Sequence, residues 1–244
     1  MSETIIPATV AQRYYRRARN VGGVSEDVPA GWSTIISGPE KLLAVFKPLK
    51  LKRGFTLVGY QFREGGNGNG FIYAVPEGSR LPFPDDCPTD PDHFLGPPVP
   101  PTALEDVMDA IEGDGSPVSY LCASLLNREL EEFGAMWHGC SWGTHELVTK
   151  DPFARGGCLR PQSKATDRAG LQIDFEKWQW HKPKPARWEP RVKLAGGNVT
   201  VIFHTYSGLE RDAIYRHVDR YKTGAYRFKA RRVVVAEGPS GYIF

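Results

Sequence analysis

The chain is poor in cysteine, with four among 244 residues: Cys87, Cys122, Cys140 and Cys158. No two are spaced Cys-x-x-Cys, which removes the common zinc and dithiol signatures. The N-terminus, Met-Ser-Glu-Thr-Ile-Ile-Pro, has neither the basic nor the apolar part of a secretory signal. A cytoplasmic protein with reduced thiols and no structural disulfide is the expectation. No apolar run approaches the roughly 20 residues that cross a bilayer, so no membrane partner is expected. No internal repeat is visible, which counts against a solenoid.

What is present is an ordinary globular composition, 41% hydrophobic and 24% charged. The 20 prolines and 26 glycines point to many loops. A net charge of +3 hides a split. Residues 77–114 hold ten acidic side chains and one basic, Arg80. Residues 182–232 hold thirteen basic and four acidic. The basic half either faces an anionic partner or is balanced by the acidic segment within the fold.

Turn and cap signals divide the chain. Residues 10–19 are basic and aromatic, a helical arm or a frayed end. Ser-Gly-Pro-Glu at 37–40 is a capping box before a short helix. Residues 55–62 and 71–75 read as strands of a hairpin with a long glycine-rich tip, Gly-Gly-Asn-Gly-Asn-Gly at 65–70. That tip lacks the Lys-Ser/Thr of a phosphate-binding P-loop, and no helix follows it. Residues 76–101 contain nine prolines and form a loop that is the only candidate internal boundary. Thr102-x-x-Glu105 opens another helix, and Ser116-Pro117 opens the longest one. Ala-Gly-Gly-Asn at 195–198 joins two strands. Ser207-x-x-Glu210, with apolar residues at 209, 213, 214, 217, 218 and 221, predicts a helix ended by Gly224. The resulting expectation is a single α+β domain over 1–244, with an antiparallel or mixed sheet of hairpins packed against a central helical block.

Three groups of residues could carry function. Glu129 falls in the apolar stripe of the long helix, where burial raises a carboxylate's pKa towards general acid–base use; a structural salt bridge is the alternative. Residues 136–145, Met-Trp-His-Gly-Cys-Ser-Trp-Gly-Thr-His, bring His138, Cys140 and His145 together. They could be catalytic, with Cys140 as nucleophile and a histidine as base. They could also ligate zinc, although the spacing matches no common zinc motif. Packing of a helix end by Trp137 and Trp142 is the plainer alternative. The third group is an anion site: His204, Ser207 and Arg211 at the expected helix N-terminus, with Trp178 and Trp180 among lysines and arginines.

Two functions follow as expectations. One is an enzyme, a hydrolase or transferase, using Glu129, His138, Cys140 and His145 on an anionic small molecule. The other is a non-catalytic module whose basic, Trp-rich C-terminal half binds nucleic acid or an acidic protein surface. A protein partner or homo-oligomer remains open in either case.

Overall fold

The computed structural model describes residues 2–21, 30–35, 38–65, 67–84, 97–154 and 178–243. In chain order its elements begin β1 (Ser2–Ile5), α1 (Ala8–Arg19), β2 (Gly31–Ile35), α2 (Pro39–Val45), β3 (Leu49–Leu51), β4 (Phe55–Glu64), β5 (Asn67–Pro76) and β6 (Ile111–Gly113). They continue α3 (Pro117–Glu131), β7 (Glu146–Val148), β8 (Gln179–Trp180), β9 (Arg191–Ala195), β10 (Asn198–Ser207), β11 (Ala213–Lys222) and β12 (Phe228–Glu237). Among the described residues no helix is long and apolar enough to cross a membrane.

The chain divides into two units. The first comprises Met1–Arg13, Thr144–Tyr221 and Phe228–Phe244. Its sheet runs β1-β9-β10-β11-β12-β8, with β7 paired to β10. The six strands of that path curl into an antiparallel half-barrel. The β9–β10 turn follows its sequence signal, because Gly196 and Gly197 take φ of 55° and 74°, the positive values of a two-residue hairpin loop. One side of the sheet is packed by Trp178, Trp188, Ile214, Val235 and Val148.

The second unit comprises Tyr14–Gly143 and Lys222–Arg227. It holds a three-stranded sheet, β2-β4-β5, and a two-stranded one, β3-β6. Helix α3 starts as the sequence directs: the Ser116 hydroxyl caps Ser119 N–H at 3.2 Å, and Pro117 fills the first turn. Tyr226 stacks on Tyr120 with centroids 5.1 Å apart, and its hydroxyl accepts from Gly115 N–H at 3.0 Å.

The expected central helical block is absent; the protein is mostly β. The largest departure is residues 213–222, expected as helix and found as β11. Ile214, Val218 and Tyr221 satisfy a helical stripe, but the same segment alternates Tyr215, His217, Asp219, Tyr221 against Ile214, Arg216, Val218, Arg220. Two ten-residue neighbours, β10 and β12, supply ladder hydrogen bonds along both edges, and the β-branched and aromatic residues suit that surface. Gly224, at φ 82°, turns the β11–β12 hairpin instead of capping a helix. The Thr102 helix shrinks to one 3-10 turn, Val107–Ala110. Residues 10–19 are not a frayed arm: α1 buries Ala11, Tyr14 and Ala18.

The β4–β5 hairpin forms, with a tighter tip than expected, because Glu64 pairs with Asn67. The remaining glycines belong to the strand. A Cβ on Gly70 would lie 1.7 Å from the Phe133 carbonyl oxygen, so Gly70 permits a backbone approach that no side chain allows. Ser37, Cys87, Cys158, most of the expected residue 151–168 loop and most of the proline-rich loop lie outside the described residues. Cys122 and Cys140 are free thiols.

Candidate functional site

The expected cluster at 136–145 is not a helix end. Two short 3-10 turns follow α3, Trp137–Gly139 and Trp142–Thr144. In the second unit they help enclose a cavity of about 130 Å³, bordered by Arg19, Glu129, Glu132, Phe133, Cys140 and Trp142. Glu129 is 10% exposed and lies 3.2 Å from Arg19 Nε. The same oxygen accepts Trp142 Nε1–H at 2.8 Å. Burial, and to a lesser degree Glu132, pushes the Glu129 pKa up, while Arg19 and the indole pull it down without cancelling the rise. The Arg19 guanidinium lies 5.2 Å from the ring centroids of both Tyr15 and Trp142.

Glu132 has a separate task. Its two oxygens accept the amides of Ser141 and Gly143 at 2.7 Å each, and that of Trp142. A carboxylate so saturated fixes the loop that carries Trp142. Burial and Glu132 raise the Cys140 pKa, keeping it a thiol at neutral pH. Among the described residues no imidazole borders the cavity. A thiol without an adjacent base is a poor nucleophile.

His138 is exposed, edge-on to Trp137 at 6.4 Å. Trp137 itself takes φ 44°. His145 belongs to the first unit. The structure therefore joins Glu129 with Cys140 and leaves both histidines out of that cavity. Among the described residues no group of three His, Cys, Asp or Glu side chains is placed to hold a metal ion, so the His138, Cys140, His145 set offers zinc no common site.

His145 enters a different network. Its Nδ1 lies 2.7 Å from Thr205 Oγ1, which lies 2.8 Å from His217 Nε2. All three residues are buried. Arg232 approaches His145 Nε2 at 3.5 Å and sits over the Tyr215 ring at 4.8 Å. An arginine only donates, so in the neutral ring Nε2 holds the lone pair and Nδ1–H donates to Thr205. The hydroxyl then donates to His217 Nε2. One hydroxyl thus links two imidazoles in a single direction. Read from sequence, His217 falls on the stripe of a helix, where nothing brings it to Thr205 on a neighbouring strand.

The first unit's sheet carries a third arrangement. Arg220 faces Lys229 across β11–β12, Val218 faces Arg231, and Arg216 faces Val233. Strand alternation puts these cations on one face. Arg220, Lys229 and Arg231 are exposed. Among the described residues none of the four is ion-paired, whereas Arg191 on β9 reaches Glu3 at 3.8 Å. His204, 2% exposed, lies edge-on to Trp188 at 5.2 Å. Neither of its ring nitrogens nor Arg216 Nε has a hydrogen-bond partner among the described residues. Burial, then the guanidiniums of Arg191 and Arg216, lower the His204 pKa to about 4. His204 is a neutral ring beside two cations.

The other expected anion-site residues scatter. Ser207 is buried, 2.6 Å from the Thr144 hydroxyl. No helix follows it, so the free amides expected there do not exist. Arg211 is 66% exposed and reaches Glu237 at 3.6 Å. Asp212, in the same loop, accepts the Tyr206 hydroxyl at 2.5 Å. Trp178 is core, while Trp180 is 36% exposed with the Lys184 ammonium 6.0 Å from its ring. Comparison with protein-family models, curated proteins and solved structures gives no match to this chain.

Proposed function

We propose that this chain binds a polyanion, single-stranded nucleic acid foremost, on the basic face of its half-barrel sheet. The observation that carries the reading is the set Arg216, Arg220, Lys229 and Arg231, unpaired among the described residues, with Arg220 directly opposite Lys229. Like charges opposed across strands destabilise a sheet. A phosphate chain laid on them removes that repulsion and releases its own counterions. Trp180 supplies an exposed aromatic face of the kind on which unpaired bases stack. The test is fluorescence anisotropy of a labelled single-stranded oligonucleotide at low and moderate salt, against an Arg220→Ala, Lys229→Ala, Arg231→Ala variant. Affinity should fall steeply with salt, and the variant should reduce the salt slope by about one per lost contact. Absence of binding at low salt overturns the reading. Tighter binding of poly-glutamate than of the oligonucleotide assigns the face to an acidic protein surface.

A second reading, acid–base chemistry on a small anion, rests on the Thr205 hydroxyl shared by His145 and His217. A directional chain of this kind can move a proton between two rings, and Arg232 can meet an anionic group beside His145. Histidine ring resonances followed by NMR against pH test it. Titration of His145 and His217 as a coupled pair supports the reading, and two independent titrations count against it.

A further inference from the structure

The cavity of the second unit is independent of the basic face, and its chemistry selects a different ligand. Its volume, about 130 Å³, is close to that of an engineered protein cavity of roughly 150 Å³ that takes up benzene. Leu42, Phe133 and Trp142 give it apolar walls. Its polar groups are mostly engaged. Glu132 is saturated by three amides. Arg19 holds Glu129 and donates to the Trp142 carbonyl at 2.5 Å. Cys140 is a protonated thiol, a weak donor.

Glu129 is the exception. Arg19 Nε and Trp142 Nε1 both meet Oε1. Among the described residues Oε2 has no partner. Glu129 borders the cavity, so this second oxygen is free to accept a hydrogen bond from a molecule held there.

We propose that this cavity is a binding site for a single-ring heteroaromatic molecule bearing one N–H, held by a hydrogen bond to Glu129 Oε2 with its ring against Trp142 and Phe133. An apolar pocket with one placed polar group is the usual form of a small-molecule site. The size limits the ligand to one ring. The open carboxylate oxygen requires a donor and disfavours a ring that offers only acceptors, because two acceptors would face each other. Glu129 and Glu132 repel an anionic ring and Arg19, on the same wall, repels a cationic one, so the class is neutral.

The experiment compares pyrazole with thiazole, rings of one size of which only pyrazole carries an N–H. Binding is followed on the intact chain through the Trp142 indole N–H resonance in two-dimensional NMR. Pyrazole should shift that resonance and bind at least tenfold more tightly than thiazole, in the millimolar range normal for so small a ligand. Glu129→Gln and Cys140→Leu, the second filling the cavity without touching the ion pair, should each weaken pyrazole at least tenfold. Equal affinity for the two rings, or no shift with either at about 10 mM, overturns the proposal. The comparison of the two rings needs no variant, so a misfolded substitution leaves it decisive. Oligonucleotide binding is unaffected by either outcome.

Discussion

Arg220 and Lys229 stand directly opposite each other in the β11–β12 ladder, two cations where a sheet gains most from opposite charges. Such a pair lowers stability, and a polyanion laid across it would remove that penalty. Lys229→Glu should therefore raise the unfolding free energy by about 0.5 kcal/mol. The same change should weaken oligonucleotide binding. Thermal unfolding and anisotropy on one preparation check both. Lower stability together with unchanged binding would show that the opposition has no bearing on a ligand.

His204 gives a pH dependence with a defined sign. Its folded pKa, about 4, lies below the ordinary 6.5, so the unfolded chain binds the proton more tightly. Stability is therefore fully present above about pH 6.5 and is lost as pH falls towards 4. The loss amounts to about 3 kcal/mol at the lower end. His204→Phe, which keeps a ring against Trp188, should flatten the stability curve across that window. Denaturant unfolding at stepped pH measures it. A polyanion bound beside Arg191 and Arg216 should raise the His204 pKa, visible as proton uptake on binding near pH 5.5.

Glu129→Ala should destabilise the second unit by about 3 kcal/mol, because Arg19 is left with its charge uncompensated. Glu129→Gln should cost less and should change the pH profile. The raised carboxylate pKa means the folded state holds its proton more tightly, so wild-type stability gains as pH falls from the raised value to the ordinary 4.5. The glutamine variant lacks that gain. Chemical denaturation at pH 7 and at pH 4.5 separates the two.

Thr205→Val removes the hydroxyl between two buried imidazoles and should cost about 2 kcal/mol, with Thr205→Ser restoring most of it. Equal stability of the valine variant would mean that the rings find other partners. Equilibrium unfolding decides this.

Gly70→Ala should prevent the second unit from packing, because its Cβ meets the backbone oxygen of Phe133 and not the end of a movable side chain. A loss of at least about 3 kcal/mol is expected. Loss of the folded circular-dichroism signal, or insolubility, is the readout; a well-folded alanine variant would contradict the close approach.

Short-range signals in the sequence determined the elements whose stabilising groups are neighbours in the chain. Ser116 and Pro117 start α3 because cap and first turn lie within four residues. Gly196 and Gly197 turn a hairpin because the needed φ values belong to those residues themselves. The inward placement of Glu129 is likewise legible from helical spacing, since that helix exists. Tertiary structure alone decided the rest. Residues 213–222 carry both a helical and an alternating pattern, and only the partners β10 and β12 make the strand win, through ladder hydrogen bonds that no local window contains. That choice moved His217 beside Thr205, and set Arg220 against Lys229. His138, Cys140 and His145 are neighbours in sequence but do not share one site, because 3-10 turns after α3 send His138 to solvent, Cys140 to a cavity and His145 to the residue before β7, in the other unit. Sequence adjacency fixes how far apart residues can be; which of them meet is fixed by the burial of apolar surface and the pairing of backbone groups across the whole chain.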